Sequence, residues 1–400
     1  MKKYFVTTVV LFICVVLVHA QKSKDKERFN PILSGVPSLS IAPDARGGGM
    51  GDIGVATEPD VYSQFWNPAK YAFMADRAGF SLSYTPWLRK LVNDINLVYL
   101  TGFWKLGNED QHAMSASLRY FSLGEVLVKQ SEIDPGYTIS PYELAADFGY
   151  SLKLSENFSV GTALRYIYSD LAWSEDDAIS PGWAVAADIA GYYNKYVVTG
   201  SSESLLSLGF NISNIGSKIS YDNGANSVFL PTNLRLGGCF LFPVSDYNTF
   251  AFNFDLNKLL VPTPPDYDNL PGFENMTEDE KTEAKLKAKL DYQNISPISG
   301  IFQSFSDAPG GFKEELEEVM WSVGAEYGYN EQFFLRGGYF HESQNKGNRK
   351  YFSLGAGFKM NVFRLDAAYL ISTAQQNPLD QTLRFSLSFN LDGIKELLGK

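Results

Sequence analysis

The chain has 400 residues, 14% of them aromatic, with 34 glycines but only two cysteines and three histidines. Its 45 acidic residues against 34 basic ones give a net charge of −11, which argues against nucleic acid as a partner. Cys239 is the one cysteine beyond residue 20, so an internal disulfide is excluded from the mature chain, and His112 and His341 are too few for a histidine-rich metal centre.

In chain order, the first element is an export signal. Lys2 and Lys3 precede an apolar run from Tyr4 to Val18, and Val18-His19-Ala20 places small residues before a cleavage point. The run is short of the roughly 20 residues that cross a bilayer. Residues 1–20 are therefore expected to be a cleaved signal peptide, with Gln21 as the mature N-terminus. Cys14 follows Ile13 inside the run and does not mark a lipoprotein site. Loss of the two lysines leaves 32 basic against 45 acidic residues, a net charge of −13.

Residues 21–78 show little alternation. They contain Ile41-Ala42-Pro43-Asp44-Ala45-Arg46-Gly47-Gly48-Gly49-Met50-Gly51-Asp52-Ile53-Gly54-Val55-Ala56, and then Phe65-Trp66-Asn67-Pro68-Ala69. The glycine run lacks the Lys-Ser/Thr of a phosphate loop and its strand–helix context. So polar a segment could hang free in the periplasm, but Val61, Tyr62, Phe65, Trp66, Tyr71, Phe73 and Met74 call for burial. Residues 37–77 are expected to form a hatch, with Asn67-Pro68-Ala69 at a turn, because Pro68 fixes its own φ and biases Asn67 toward an extended shape.

From residue 79 the pattern changes to strict alternation. Leu383, Phe385, Leu387 and Phe389 alternate with Arg384, Ser386, Ser388 and Asn390. Phe250, Phe252, Phe254 and Leu256 alternate with Ala251, Asn253, Asp255 and Asn257; Leu206–Ser213 and Trp321–Tyr329 repeat the pattern. Aromatics on one face and Gly, Ser and Asn on the other fit lipid outside and a polar lumen inside. Fourteen such segments lie near 79–86, 94–105, 111–122, 141–154, 157–170, 182–193, 203–214, 231–243, 249–259, 320–329, 332–343, 348–360, 361–373 and 381–390. The predicted fold is all-β: a fourteen-stranded antiparallel transmembrane β-barrel over 79–390 with the N-terminal hatch in its lumen, closed by pairing 79–86 with 381–390.

The connections support this reading. With the N-terminus on the periplasmic side, every second connection should be short. These centre on Gly107-Asn108, Ser155-Glu156, Thr199-Gly200, Ser245-Asp246, Asn330-Glu331 and Met360-Asn361, whereas 123–140, 215–230 and 260–319 belong to the outer set. Alternation points Arg119, Arg165, Arg235, Arg336, Arg364 and Arg384 inward, with Asp147, Asp188, Asp255, Glu326 and Asp366. A ligand-selective pore would use such charges. Bracing a plug is the favoured reading, because unpaired charges in a narrow lumen are costly. Cys239 faces inward as a small filler.

The connection 260–319 opens with the stiff Val261-Pro262-Thr263-Pro264-Pro265. Thr277-Glu278-Asp279-Glu280 reads as a capping box for a helix over Lys281–Tyr292 with Leu286 and Leu290 at i, i+4. Pro297 stops its continuation, and a second helix is expected over Lys313–Val319. Pro264, Leu286, Leu290 and Phe312 are its candidate partner-binding residues, against the alternative of a solvated cap. Residues 391–400 form a short periplasmic tail.

The Asn67-Pro68-Ala69 signature after a glycine-rich segment resembles the hatch of the FadL-like fourteen-stranded barrels. Ile41–Met74 and Tyr84-Thr85-Pro86-Trp87-Leu88-Arg89 resemble, more closely, the PorV family of the type IX secretion system in Bacteroidetes, across essentially the whole mature chain. That resemblance implies a non-enzymatic outer-membrane protein without cofactor. Its implied partners are the large translocon barrel, cargo bound through its C-terminal domain, a cell-surface attachment complex with a sortase-like protein, and outer-membrane lipids. The competing readings are FadL-type transport of hydrophobic molecules and lipid hydrolysis. Hydrolysis is disfavoured because His112 and His341 sit on strands with no serine motif beside them.

Overall fold

Period-two alternation places every second side chain of a strand on one face, so a long alternating chain in lipid can bury its polar face only by curling that face inward. The computed structural model describes residues 29–397 except 90, 91, 93, 108–110, 130–133, 172–179, 201, 223, 225, 269, 271 and 375–378. The expected signal peptide, with Cys14, and Gln21 lie outside the described residues. Fourteen strands close into one antiparallel barrel: β1 (Ala78–Pro86), β2 (Ile95–Leu106), β3 (His112–Leu123), β4 (Tyr142–Lys153), β5 (Phe158–Asp170), β6 (Gly182–Thr199), β7 (Ser202–Gly216), β8 (Asn233–Ser245), β9 (Asn248–Leu259), β10 (Val319–Tyr329), β11 (Phe333–His341), β12 (Lys350–Lys359), β13 (Phe363–Ser372) and β14 (Leu383–Asn390). β1 pairs with β14 from Gly79↔Asn390 to Tyr84↔Phe385, which removes both free edges.

Outward positions such as Leu82, Leu164, Leu208, Phe252, Leu354 and Phe385 are exposed, as a lipid-facing band requires. No helix of the described residues is long and apolar enough to cross a membrane. The strand ends put the short connections that follow Leu106, Lys153, Thr199, Ser245, Tyr329 and Lys359 at one rim, and the long ones that follow Leu123, Gly216 and Leu259 at the other. Two of the long connections carry small hairpins, Val126–Val128 with Tyr137–Ile139 and Ile219–Ser220 with Ser227–Val228. β6 runs to Thr199, past the expected end at 193.

Residues 29–36 lie at the outer, long-loop rim. The Asn30 amide donates to the Asn345 carbonyl and that of Gly35 to the Phe229 carbonyl, each at 2.8 Å. The chain then descends through the lumen as a 3-10 turn (Pro37–Ser40), α1 (Ala45–Gly48), α2 (Ser63–Trp66) and a second 3-10 turn (Pro68–Phe73) before entering β1. Among the described residues no tail hangs free at the short-turn rim: from residue 29 the N-terminal segment threads the barrel. After β9 come α3 (Glu278–Asn294), α4 (Pro297–Gln303) and α5 (Phe312–Glu317), and after β14 comes α6 (Leu391–Leu397). α5 starts and ends earlier than the expected 313–319, because residues from Val319 join β10.

The closing register has a direct test. The Ser83 and Ser386 hydroxyls meet across β1 and β14 at 2.7 Å. With Cys239→Ala as background, Ser83→Cys with Ser386→Cys should form a disulfide, since facing strand positions fall within disulfide reach. After protease cleavage in 260–318 the two fragments should stay joined until reduced; fragments that part without reductant would mean a different closure.

Candidate functional site

The lumen is filled from residues 36–76, and the local chain chemistry explains how. Asn67 is extended (φ −166°, ψ 96°) and its side-chain carbonyl accepts from the Ala69 amide, so Asn67 caps the 3-10 turn that Pro68 begins. Its side-chain amide donates to the Val55 and Gly191 carbonyls, both at 3.0 Å, tying the turn to the hatch and to β6. Ser159 of β5 donates to the Ala69 carbonyl at 2.7 Å. Trp66 is buried, and its indole N–H donates to Asp44 at 2.7 Å, while Asp44 also caps α1 through the Gly47 amide. The glycines permit close approach. A Cβ on Gly47 would lie 2.6 Å from the Trp66 ring, one on Gly48 would meet the Arg384 side chain, and one on Gly49 would lie 2.9 Å from the Gly355 backbone.

The inward charges fall into three kinds. Arg336 and Arg364 share Glu326 and Asp366, and Arg46 of the hatch joins them on Glu326: Arg46 bridges Glu326 at 2.9 Å and Asp60 at 2.6 Å, and Arg336 reaches Asp366 at 2.8 Å. Arg165 bridges Asp147 at 2.6 Å and Asp188 at 3.0 Å, and Arg384 pairs with Asp52 of the hatch. Arg119 and Arg235 instead donate to hatch carbonyls, Arg119 to Ser38 at 2.6 Å and Ile41 at 3.0 Å, Arg235 to Phe65 at 2.9 Å. Both guanidiniums also lie over the Phe65 ring, 5.0 and 4.4 Å from its centroid. Asp255 takes the Gly54 and Val55 amides at 2.9 and 3.1 Å. Cys239 is buried beside Ala56 and Ala251. Sequence alternation pointed these charges inward, but Arg46, Asp52 and Asp60 as their counter-ions carry no periodic signal.

The outer mouth is organised by the acidic α5 segment. Lys258 of β9 bridges Glu315 at 3.0 Å and Glu318 at 2.6 Å; Lys346 bridges Glu314 at 2.5 Å and Glu318 at 3.0 Å. Asn30 donates to Glu314 at 3.0 Å. The connection is thus pinned to the barrel and to the N-terminal strap. Thr277 makes the expected capping box with Glu280 at the start of α3. Leu286, Leu290 and Phe312 are exposed, Phe312 at 78%, joined by Phe302 at 74%; Pro264 is half-buried. A cavity of about 600 Å³ lies within the connection, walled by Pro262, Pro265, Tyr292, Ile295 and Asp307 rather than by the residues singled out from sequence. Asp307 accepts from the Thr263 amide at 3.1 Å, and burial, with Glu315 and Glu318 adding, raises its carboxyl to about 6.

His112 shares a hydrogen bond of 2.5 Å with the Tyr150 hydroxyl, and His341 stacks on Trp321 with centroids 4.9 Å apart. Neither contact supplies a nucleophile. Closure, sidedness and a packed polar lumen define an outer-membrane barrel of FadL-like fold. A solved structure that shares that fold is the TodX deltaS2S3 mutant, a monoaromatic hydrocarbon channel (12% identity, 86% of this chain and 98% of that one, TM-score 0.51); the chain is also similar to the toluene transporter TodX of Pseudomonas putida (13%, 90% and 99%, 0.48) and to a FadL homologue of Pseudomonas aeruginosa (12%, 87% and 98%, 0.42). No curated protein sequence matches the chain. Residues 22–266 match the family described as type IX secretion system protein PorV, and the chain belongs to that family.

Two outcomes follow from this geometry. Glu326→Leu would strip a shared carboxylate from Arg46 and Arg336, and breaking a buried pair costs about 3–5 kcal/mol. The hatch should become cleavable by protease and the barrel should lose its heat-modifiable mobility at lower temperature; unchanged protection would remove this cluster as the hatch anchor. For Asp307, a carboxyl raised in the folded state holds a proton more readily than the free chain does, so its contribution is full below about 4 and fades as pH rises toward 6. Hydrogen exchange in 264–307, corrected for intrinsic rates, should be slower at pH 5 than at pH 7. Asp307→Asn should give the slow exchange at both.

Proposed function

We propose that this PorV-family barrel takes exported cargo from the type IX translocon barrel by the cargo's C-terminal domain and delivers it to the cell-surface attachment complex, which includes a sortase-like protein. Family membership over residues 22–266 is the observation that carries the reading, because it places the chain in type IX secretion. The geometry supports holding over conducting. The hatch fills the lumen, while a pinned outer connection presents exposed Phe302, Phe312 and Leu316. Exposed apolar groups on an extracellular rim suit a protein partner. The protein acts here as a carrier, not an enzyme.

The alternative is passage of small hydrophobic molecules, the role named for the TodX barrels. Sideways release into lipid needs a break in the wall. β3 instead pairs without interruption, with β2 from Ile95↔Leu123 to Leu106↔His112 and with β4 from His112↔Leu152 to Ser122↔Tyr142. The register shifts between β6 and β7 at Ala187/Ile189, but there the Asp188 carboxylate takes the Asn214 amide at 2.8 Å and Arg165 at 3.0 Å; a second shift, between β8 and β9 at Pro243/Ser245, lies at the short turn, with Ser245 paired to Asn248 beyond it. Clean deletion in the native host should leave type IX cargo unattached and unprocessed while bulk outer-membrane assembly continues. Normal surface attachment of cargo would refute the carrier role, and lost toluene uptake in the same strain would favour passage.

A further inference from the structure

Beneath the N-terminal strap the outer mouth holds a cavity of about 550 Å³. Much of its wall is apolar, with Ile41, Trp87, Ile95, Phe121, Leu123 and Leu379; Glu342 and Lys346 also line it. Its size is that of a ligand pocket. It shares Ser40, Leu259, Met320 and Arg349 with a smaller chamber of about 50 Å³, whose floor is Phe65 and Trp66 of the hatch. Asn233, Arg235 and Asn257 line that chamber.

The chamber is built for an anion. Arg235 is 4% exposed and makes one described hydrogen bond, to the Phe65 carbonyl at 2.9 Å; no carboxylate pairs with it among the described residues. Asn233 is 8% exposed and its side-chain oxygen has no partner. Its amide can turn to present N–H instead. Arg349, at the neck, is already held by Glu342 at 2.8 Å, and Asp52 in the wall by Arg384 and by the Tyr351 hydroxyl. The Phe65 and Trp66 rings lie against the guanidinium, and Asp188 and Asp255 act on it from a distance, but no carboxylate among the described residues reaches its fork, and a carboxylate is the group that fork matches.

We infer that the mouth cavity and its chamber bind the free C-terminal end of a polypeptide, with an apolar stretch along the Trp87–Phe121 wall and the terminal carboxylate on Arg235 and Asn233. This rests on the cargo-carrier reading and assigns its contact. A peptide fits the mixed wall better than an acyl chain does, because backbone N–H and C=O groups can bond to Ser34, Ser40 and Glu342, whereas a hydrocarbon would only desolvate them. The pocket is a dead end: the packed hatch lies below it, so an occupant enters and leaves by the outer mouth.

The test uses the full chain, purified in detergent, and the labelled C-terminal domain of a type IX cargo from the same host. The domain is prepared with a free carboxylate terminus and with a C-terminal amide. Loss of a charge-assisted bidentate contact should weaken the amide form by at least about tenfold. Arg235→Gln should bring both forms to the same affinity, and Arg235→Lys should restore part of the difference. Should Arg235→Gln fail the heat-modifiability check for folding, Asn233→Leu and Leu259→Trp, which fills the neck, should reduce the discrimination in its place. Equal binding of the two forms to the native chain overturns this inference and leaves cargo binding standing. Binding of neither form overturns both. Oleate binding that depends on Arg235, alongside equal binding of the two domain forms, makes the chamber a lipid site and likewise overturns it.

Discussion

An unpaired backbone N–H or C=O in hydrocarbon costs several kcal/mol, and the rest of this structure depends on avoiding that cost. A strand-crossing chain can meet the condition only by closing. Closure through β1 and β14 fixes the register of the whole wall, because each of the fourteen strands is bonded to both neighbours. A period-two chain closed in lipid then has no choice about its faces: aromatics and aliphatics go out, and Ser, Asn, Asp and Arg go in.

That solution creates a second problem. Fourteen strands enclose more space than the inward side chains fill, and those side chains include arginines and carboxylates that need partners. The N-terminal segment answers both needs. Its apolar residues Tyr62, Phe65, Trp66 and Tyr71 occupy volume, while Arg46, Asp52 and Asp60 complete the ion pairs of the wall. Where hatch charges are lacking, hatch carbonyls serve: Arg119 and Arg235 bond to backbone oxygen and stack on Phe65. Wall and hatch are therefore each incomplete alone. A glycine run is the sequence cost of bringing their backbones together, most clearly where Gly49 meets Gly355.

The barrel was legible in the sequence because its cause is periodic. Alternation gave the strand count, and the short-turn rhythm gave the sidedness. It misjudged β6, which continues to Thr199, because Asn194–Thr199 leaves the lipid band. Tyr196, Val198 and Lys195 are all exposed there, so the apolar–polar contrast that marks a strand disappears while the ladder to β7 persists. The hatch shows the opposite limit. Composition indicates that its side chains need burial, but Arg46 and Glu326 are 280 residues apart, and nothing local announces that they meet. The mouth cavity was not legible at all, since its wall gathers Ile41, Trp87, Phe121 and Leu379 from four separate parts of the chain.

The outer rim is where the N-terminal strap is joined to two of the long connections. Glu314, Glu315 and Glu318 look in sequence like the solvated face of a short helix. In the fold they are shared between Lys258 at the end of β9, Lys346 in the 342–349 connection, and Asn30 of the strap. Lifting the strap breaks the Asn30 bond, and displacing α5 leaves Lys258 and Lys346 buried without counter-ions. The strap also forms part of the mouth-cavity wall through Ile32, Ser34 and Pro37. Whatever displaces the long connection must therefore disturb the strap's anchorage above the cavity. The carboxylates of α5 thus hold the connection, the 342–349 loop and the strap together above the cavity as one electrostatic clasp.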